Sequence, residues 1–328
     1  MKTFNFKTAL IIVCCFSFFS IACKKATSDA NANVTDEVQA TIHSDDNETF
    51  QGETESADDD ISNTVSSSAR FCGVGNVFGP TAAMLPPDVD TSNPGNIAGR
   101  MVFTFNGTVI PGTCRKRTGT ITVDLLNAPK WIEPGATLRI RFTNFKVENI
   151  CRNRSITING DRLTTNVNGG NLFKLSITPG FILRHRIRTG TIGIEATFTD
   201  SSGSKTAVWN VAKSTSISFS LNPSKYKFEY VGDTTINNIQ KTAAWGTTRF
   251  GRNYQTVYTN SILANTFCKL WRPTSGLVAH TVGNQTVQVV YGLNSSGTPV
   301  GLNDCATHFK IYWTNSASVS NSKLVAYP

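Results

Sequence analysis

The sequence predicts an all-β protein whose antiparallel strands form a sandwich or a curved meander. From Met101 onward, short runs in which Val, Ile, Thr and Phe alternate with other residues recur, and each is followed by a turn containing Gly, Asn or Pro. No window of twelve or more residues in this part shows a convincing helical stripe with a 3.6-residue period. A signal peptide and a disordered acidic tether are expected to precede this domain.

The first 22 residues have the layout of an export signal. Lys2 and Lys7 form a basic start, and residues 8 to 22 follow as a mostly apolar run. That run is shorter than the roughly 20 apolar residues that a membrane span requires. We therefore predict a signal peptide at residues 1 to 22.

The residues SIAC at positions 20 to 23 resemble a lipobox, the site at which a lipoprotein signal is cleaved. Small residues admit the peptidase, and the cysteine sulfur carries the diacylglycerol. We therefore predict that Cys23 becomes a lipidated, palmitate-bearing N-terminus that anchors the chain to a membrane. The alternative is an ordinary signal peptide cut nearby, with Cys23 incidental.

The segment after Cys23 is strongly acidic. Residues 24 to 70 contain eleven carboxylates and three basic side chains, and their few apolar residues are isolated. Such a composition buries too little surface to offset chain entropy, so residues 23 to 70 are predicted to be a disordered tether. As a flexible coil it would span roughly 40 Å.

Residues 71 to 328 form the predicted β-rich domain, and they are basic, with 26 Lys and Arg against 11 Asp and Glu. This length is enough for one large core or for two halves with a candidate seam at residues 213 to 223. Asn106-Gly107 and Asn159-Gly160 are interpreted as turns that end strands. The residues NLFKLSI, at positions 171 to 177, are interpreted as a strand.

Alternation gives the predicted strands one apolar face and one cationic face, most clearly in residues 136 to 147 and 181 to 188. The arginines chosen as ligand-facing on the cationic face are Arg139, Arg141, Arg184, Arg186 and Arg188, and further basic clusters occur at Arg115-Lys116-Arg117 and Arg152/Arg154. They could bind phosphates or an acidic glycan, or form a solvated surface that protects sheet edges. A third hypothesis is that the protein's own acidic leader folds back onto a basic face.

Cys268 and Cys305 allow two interpretations. A disulfide between them would close a loop of about 38 residues and contribute on the order of 4 kcal/mol. The alternative is a metal site that adds His280 and His308. On a strand, however, Cys305 and His308 would point to opposite faces, so no metal is expected.

The remaining cysteines leave the second bridge open. Cys14 and Cys15 lie inside the signal, and Cys23 is assigned to lipid. Any second disulfide must come from Cys72, Cys114 and Cys151, which allow three pairings and leave one thiol over.

Catalytic motifs are absent from the sequence. It contains no G-x-S-x-G, no H-E-x-x-H and no P-loop, and no cofactor is expected. Paired acids for glycoside hydrolysis, such as Asp161 with Glu195, carry no distinguishing mark. Whether the protein is an enzyme stays open, and a role without catalysis is favoured.

Large aromatic residues are concentrated in the C-terminal part. They can stack on sugars, but such residues are more often core or strand-pair residues, so the core interpretation is favoured. They are Trp245, Trp271, Trp313, Tyr254, Tyr258, Tyr291 and Tyr312.

The cysteine followed by Lys24 and Lys25 is similar to the start of lipoproteins of Bacteroidota. Residues 100 to 328, with phrases such as RTGTITVDLLNAPKW, SITINGDRL and DCATHFKIYW, resemble uncharacterised β-rich lipoproteins of those bacteria. The resemblance implies a cell-envelope location, a β fold and a Cys268 to Cys305 disulfide. It implies no activity.

The expected function is therefore a membrane-anchored binding or interaction module of the cell envelope. Its expected partners are the membrane, through the lipid anchor, and a glycan or other anionic envelope polymer, but not nucleic acid. The expected location is the outer membrane, on its periplasmic or its surface face. The alternatives are a surface polysaccharide hydrolase and a structural envelope protein.

Overall fold

The computed structural model describes residues 35–67, 85–221, 224–301, 304–314 and 319–327. The predicted signal peptide, Cys23 and Cys72 lie outside these ranges. Residues Thr35–Pro328 form one compact unit, and residues 213 to 221 of the candidate seam at 213 to 223 lie within a single strand. Among the described helices, none has the length and apolar character needed to cross a membrane.

The described residues form fifteen strands and two α-helices. The helices are α1 (Asp36–Ser67) and α2 (Leu172–Ile177), and a 3-10 turn covers Pro94–Asn96. The strands are β1 (Val89–Ser92), β2 (Arg100–Val109), β3 (Arg115–Leu125), β4 (Thr137–Asn149), β5 (Arg154–Asn166), β6 (Leu183–Asp200), β7 (Gly203–Leu221), β8 (Ser224–Gly232), β9 (Thr234–Ile236), β10 (Ile239–Thr247), β11 (Asn253–Asn265), β12 (Ser275–Val282), β13 (Gln285–Leu293), β14 (His308–Thr314) and β15 (Ser320–Ala326).

All fifteen strands belong to one antiparallel sheet, which confirms the all-β prediction. The main path follows chain order from β1 to β7, continues at β10 and then runs in order to β15. Strand β8 pairs with both β7 and β11, and β9 pairs with β10. Because nearly every strand pairs with its neighbour in the chain, the sheet is a meander and not a sandwich of two sheets.

A row of glycine-containing bulges bends the sheet. Ideal Cβ atoms at Gly119 and Gly246 would lie 2.1 Å from the Asn144 carbonyl oxygen and 2.0 Å from the Val208 carbonyl oxygen, so only glycine fits there. Gly160 and Gly193 continue the row across β5 and β6. Bulges of this kind increase local twist and curvature, so they curve the meander.

The bulges also correct two sequence interpretations. Strand β2 runs through Asn106-Gly107, and β5 runs through Asn159-Gly160, each with a register shift. These pairs are bulges within long strands, whereas the sequence interpretation placed strand-ending turns there. The residues LFKLSI, expected in a strand, form α2 instead, because the Asn171 side chain accepts a hydrogen bond from the Lys174 amide and caps the helix.

Helix α1 is the largest difference from the sequence expectation, because its 32 residues lie in the segment predicted to be disordered. Its buried positions recur every three or four residues, as expected for one helix face. The series comprises Ala40, His43, Asn47, Phe50, Thr54, Ala57, Ile61 and Val65, each at most 3% exposed, and Gln39, Ser44 and Asp46 beside it are equally buried. The apolar members of this set pack into the main core, together with inward-facing residues of the strands.

Two disulfides fasten the sheet. Cys268 is bonded to Cys305, as the resemblance implied, and Cys114 is bonded to Cys151. The first pair excludes the alternative in which Cys268 and Cys305 bind a metal. The described residues contain no group of three or more side chains suited to a metal ion.

Candidate functional site

The candidate site is the inner face, defined here as the side of the sheet that packs against α1. Side chains of α1 contact residues of β3, β5, β7, β11, β12 and β13. Strands from both halves of the sheet therefore reach the same helix, and the sheet curves around it.

Arg117 of β3 is the most buried cation of the inner face, at 1% exposed. Its Nε and Nη2 atoms donate to Asp88 at 2.6 and 2.8 Å, and its Nη1 atom donates to Asp60 of α1 at 2.7 Å. The guanidinium also lies 4.6 Å above the ring of Phe105. Arg117 thus joins the helix, β3 and the segment before β1.

Four further cations of the inner face pair with carboxylates of α1. The pairs are Arg115 with Glu53, Arg162 with Asp58, Lys213 with Glu55 at 3.5 Å, and Arg249 with Asp46, whose other oxygen accepts from Arg249 Nε at 2.7 Å. The inner face therefore contacts the acidic helix by charge from Asp46 to Asp60.

These cations point inward because of their phase along the strands. Arg117 precedes Ile121 and Val123 on β3 by four and six residues. Even spacings place side chains on the same face of a strand, and Ile121 and Val123 are fully buried. Lys213 follows Trp209 and Val211 in the same way, and all three are buried. A basic residue in phase with apolar residues was the sequence signal for this site. The cluster Arg115-Lys116-Arg117 was noted from the sequence as basic, but its phase was not considered.

The arginines predicted to face a ligand lie on the opposite, outer face. Arg139 pairs with Asp161 at 3.5 Å, and Arg186 and Arg188 both pair with Asp233 at 2.9 Å. Arg141 and Arg184 are exposed on the same side. The predicted alternation of arginines with buried apolar residues holds in β4 and at the start of β6, but these arginines do not contact the acidic helix, and β3, β5 and β7 have cations on their apolar face as well.

The acids considered for glycoside hydrolysis also lie on the outer face. Asp161 pairs with Arg139, and Glu195 is exposed opposite Asn159 of the neighbouring strand. Neither residue contacts α1 or the inner-face cations in the described part of the chain. The arrangement gives no enclosed pair of carboxylates at these positions.

An aromatic cluster lines the middle of the inner face. The ring of Phe50 on α1 stacks on Trp209 with centroids 4.8 Å apart. The ring of His43, about two turns earlier in the helix, lies 3.9 Å from the ring of Tyr254 and 5.6 Å from that of His280. Tyr254, expected in the core, is therefore buried against the helix.

Several polar atoms of this cluster have no hydrogen-bond partner among the described residues. They are the Trp209 Nε1, Tyr254 hydroxyl, His280 Nε2 and both His43 ring nitrogens. Each of these side chains is at most 4% exposed. Unpaired buried donors and acceptors are rare in proteins and costly, so the cluster is poorly satisfied by the helix.

The helix nevertheless fills the space. A void of about 10 Å³ lies between Phe50 and Thr54 of α1 and Arg162, Trp209 and Lys213 of the strands. A void of this size holds about one water molecule. Any other molecule that reaches these residues must take the place of the helix.

Burial raises the pKa of several helix carboxyls even though cations stand beside them. The pKa of Asp46 rises to about 6 through burial, which the bond to Arg249 only partly opposes. The pKa of Glu48 rises to about 7 through burial, against the hydrogen bond that it accepts from the Tyr291 hydroxyl. Burial also lowers the pKa of His280 to about 3, so this ring is neutral near neutral pH.

Glu48→Gln should stabilise the protein increasingly as pH rises. Glu48 titrates near its ordinary value of 4.5 when unfolded and near 7 when folded, so the folded state holds more protons between these values. Stability from this group therefore falls as pH rises through that window. Glutamine can still accept from Tyr291, so the gain over wild type should grow through the window to about 1 to 3 kcal/mol.

Urea unfolding across this pH range measures the difference between the two proteins. The buried neutral histidines have the opposite effect, because their contribution to the free energy of unfolding increases as pH rises. They are present in both proteins, so this contribution cancels in the difference. Glu229→Gln, at an exposed position of β8, is the matched control and should show no such trend. A Glu48→Gln difference that stays constant with pH would contradict the prediction.

No family model, curated protein or solved structure matches this chain. Its functional assignment therefore rests on the inner face and on the sequence.

Proposed function

We propose that this protein is a lipid-anchored, non-enzymatic binding module of the cell envelope whose inner face binds an anionic polymer. The observation that carries the proposal is the set of five inner-face cations paired with a helix that has ten carboxylates and no Lys or Arg. A face that pairs with an acidic chain of its own can pair with an acidic chain from elsewhere.

The dimensions of the inner face suit a polymer better than a small anion. A helix of 32 residues is about 48 Å long, and its paired carboxylates extend from Asp46 to Asp60. The cations come from β3, β5, β7 and the turn after β10, so one occupant must be long enough to contact several of them. Spaced charges of this kind select a chain with repeated negative groups.

The membrane anchor is the second part of the proposal, and the sequence supports it. The lipobox at residues 20 to 23 would place Cys23 at the N-terminus with its lipid, as in the lipoproteins of Bacteroidota that the chain resembles. The basic domain would then be held near the envelope surface, where anionic polymers are its expected partners. Nucleic acid is not an expected partner at that location.

A structural envelope protein is the alternative with a specific observation in its favour. Strands β1 and β15 each pair with one neighbour in the described sheet, which leaves an edge on either side. Such edges can join copies of a chain. This alternative predicts an oligomer and no polymer binding.

Binding of labelled polyglutamate and polygalacturonate to the lipid-free Cys23→Ser protein tests the proposal. We expect binding that weakens with added salt, because ion pairs carry it. Lys213→Met, on the inner face, should weaken binding about tenfold. The outer-face control Arg141→Ser/Arg184→Ser should bind like the parent protein.

Absence of binding to both polymers at low salt would overturn the binding proposal. A loss confined to the outer-face variant would move the site to Arg141 and Arg184. The Cys23→Ser protein should also leave the membrane fraction of cells, whereas one that stays there would overturn the anchor.

A further inference from the structure

We propose that Trp209, Tyr254 and His280, together with Arg162 and Lys213, form a subsite for an acidic sugar polymer, and that α1 is an internal occupant which this ligand displaces. This inference rests on the proposed function and names its ligand class. It depends on three features of the inner face: unpaired polar groups, adjacent cations and a poorly suited occupant.

The unpaired polar groups indicate what the helix lacks. His280 Nδ1 shares a hydrogen bond of 2.9 Å with the Thr256 hydroxyl, but its Nε2 atom has no partner among the described residues. The Trp209 Nε1 atom and the Tyr254 hydroxyl are in the same situation. Their rings pack against His43 of α1, so these groups face the helix.

A ligand with hydroxyl groups would satisfy them. A hydroxyl both donates and accepts, so it can pair with an indole N–H, a phenol and either form of a neutral imidazole ring. Sugar rings also have apolar faces that can pack on the rings of Trp209 and Tyr254. Although α1 contains Ser and Thr, none of its side chains forms a hydrogen bond with these three groups in the described part of the chain.

The adjacent cations specify that the sugar is acidic. Arg162 and Lys213 are 4% and 5% exposed, and they line the same small void as Trp209. With α1 in place they pair with Asp58 and Glu55. A uronic acid polymer would supply carboxylates to these two cations and hydroxyls to the aromatic cluster.

Helix α1 is a poor helix by its own sequence, which makes its displacement feasible. It contains Gly52, it is rich in Ser, Thr, Asn and Asp, and it has no basic residue in its last turn. Its ten carboxylates repel one another once they leave the cations. Its helical state therefore depends on the inner face, and a competing ligand need not oppose an independently stable helix.

Thr49→Pro is the sharpest variant for the test. Thr49 is exposed in the middle of α1, and its hydroxyl donates to the Asp45 carbonyl of the same helix at 2.9 Å. Proline there removes a helix hydrogen bond and clashes with the preceding turn without changing the inner face. Thr49→Ala is the matched control, because it keeps the helix intact.

A hexamer of galacturonic acid is the probe, its methyl-esterified form is the uncharged counterpart, and polyglutamate is the acid without hydroxyls. We expect Thr49→Pro to bind the hexamer about tenfold more tightly than wild type, with Thr49→Ala unchanged. The esterified hexamer should bind much more weakly. Tyr254→Phe, which removes only an unpaired hydroxyl, should weaken hexamer binding and leave polyglutamate binding unchanged.

Hydrogen exchange of the wild-type protein gives the decisive readout. Saturating hexamer should speed exchange at the amides of α1 and slow it in β7, β11 and β12. Hexamer binding without faster exchange in α1 would overturn displacement, and it would place the sugar on the outer face.

The outcomes separate this inference from the proposed function. If polyglutamate binds the inner face and the hexamer does not, the sugar assignment is overturned while the anionic-polymer proposal stands. If neither probe binds, even to Thr49→Pro, both are overturned. If Tyr254→Phe weakens both probes equally, the hydroxyl has no role specific to sugar and the subsite assignment fails.

Discussion

Replacing Arg117 with methionine is expected to lower the free energy of unfolding by about 3 to 5 kcal/mol. The guanidinium is 1% exposed and pairs with Asp60 and Asp88, which are 8% and 0% exposed. Methionine fills part of the volume but leaves two buried carboxylates without their cation. Because Asp60 belongs to α1, the C-terminal part of the helix should loosen as well.

Urea unfolding followed by circular dichroism measures this loss. Arg141→Met, at an exposed position of β4, is the matched control and should change stability by no more than about 0.5 kcal/mol. Adding Asp60→Asn and Asp88→Asn to the Arg117 variant should recover much of the loss, because the uncompensated charges are gone. Equal losses in the Arg117 and Arg141 variants would show that the buried network does not form.

Phe50→Ala is expected to lower the free energy of unfolding by about 3 to 5 kcal/mol and to weaken the packing of α1 against the sheet. Phe50 is 2% exposed, and its ring lies on Trp209 with a 16° angle between the ring planes. Removing it opens a cavity at the centre of the helix-binding surface. The other buried positions of the helix are mostly small or polar and offer little to compensate.

Hydrogen exchange resolves where this loss occurs. Amides of α1 should exchange faster in Phe50→Ala, while amides of β14 and β15, the last two strands of the sheet, should keep their wild-type exchange rates. Thr49→Ala, one residue away and exposed, should show neither change. A loss below about 1 kcal/mol would mean that Phe50 is not the anchor of the helix.

The strands were largely predictable because sheets enforce a two-residue alternation that survives in the sequence. The residues at which the strands begin and end were less predictable. Asn-Gly pairs serve both as hairpin turns and as bulges, and the local sequence is the same in either case. The long strand β5 was therefore interpreted as ending at Asn159-Gly160, whereas neighbouring glycines on adjacent strands convert this point into a bend.

The acidic segment was mispredicted for a physical reason. Its charge and composition argue for disorder only if nothing neutralises the carboxylates. The structure supplies cations from β3, β5 and β7, which are far away in sequence. The stripe from Ala40 through Phe50 to Ile61 was the local signal, but its Asn, Thr and His members hid it from a search for apolar residues.

The site itself was partly within reach of the sequence. The hypothesis that the acidic leader folds back onto a basic face matches what α1 does, and Arg115 and Arg117, from one of the basic clusters considered, contact the helix. The arginines chosen as ligand-facing, such as Arg141 and Arg184, are out of phase with the apolar residues and lie on the outer face. Arg117, Arg162 and Lys213 are in phase with buried side chains and point inward. The bridge between Cys268 and Cys305 is confirmed.

The contact between Glu48 and Tyr291 has a consequence for the order of folding. These residues are 243 positions apart, so the N-terminal segment, which is synthesised first, cannot be enclosed until β13 exists. Each hairpin of the meander pairs strands that are adjacent in the sequence, so the hairpins can form early. Enclosing α1 requires contacts between residues that are far apart in the sequence, and such contacts form more slowly. We therefore expect a folding intermediate in which the sheet has formed but α1 has not yet packed against it. In that intermediate the arginines of the inner face are exposed to solvent and can bind another acidic chain.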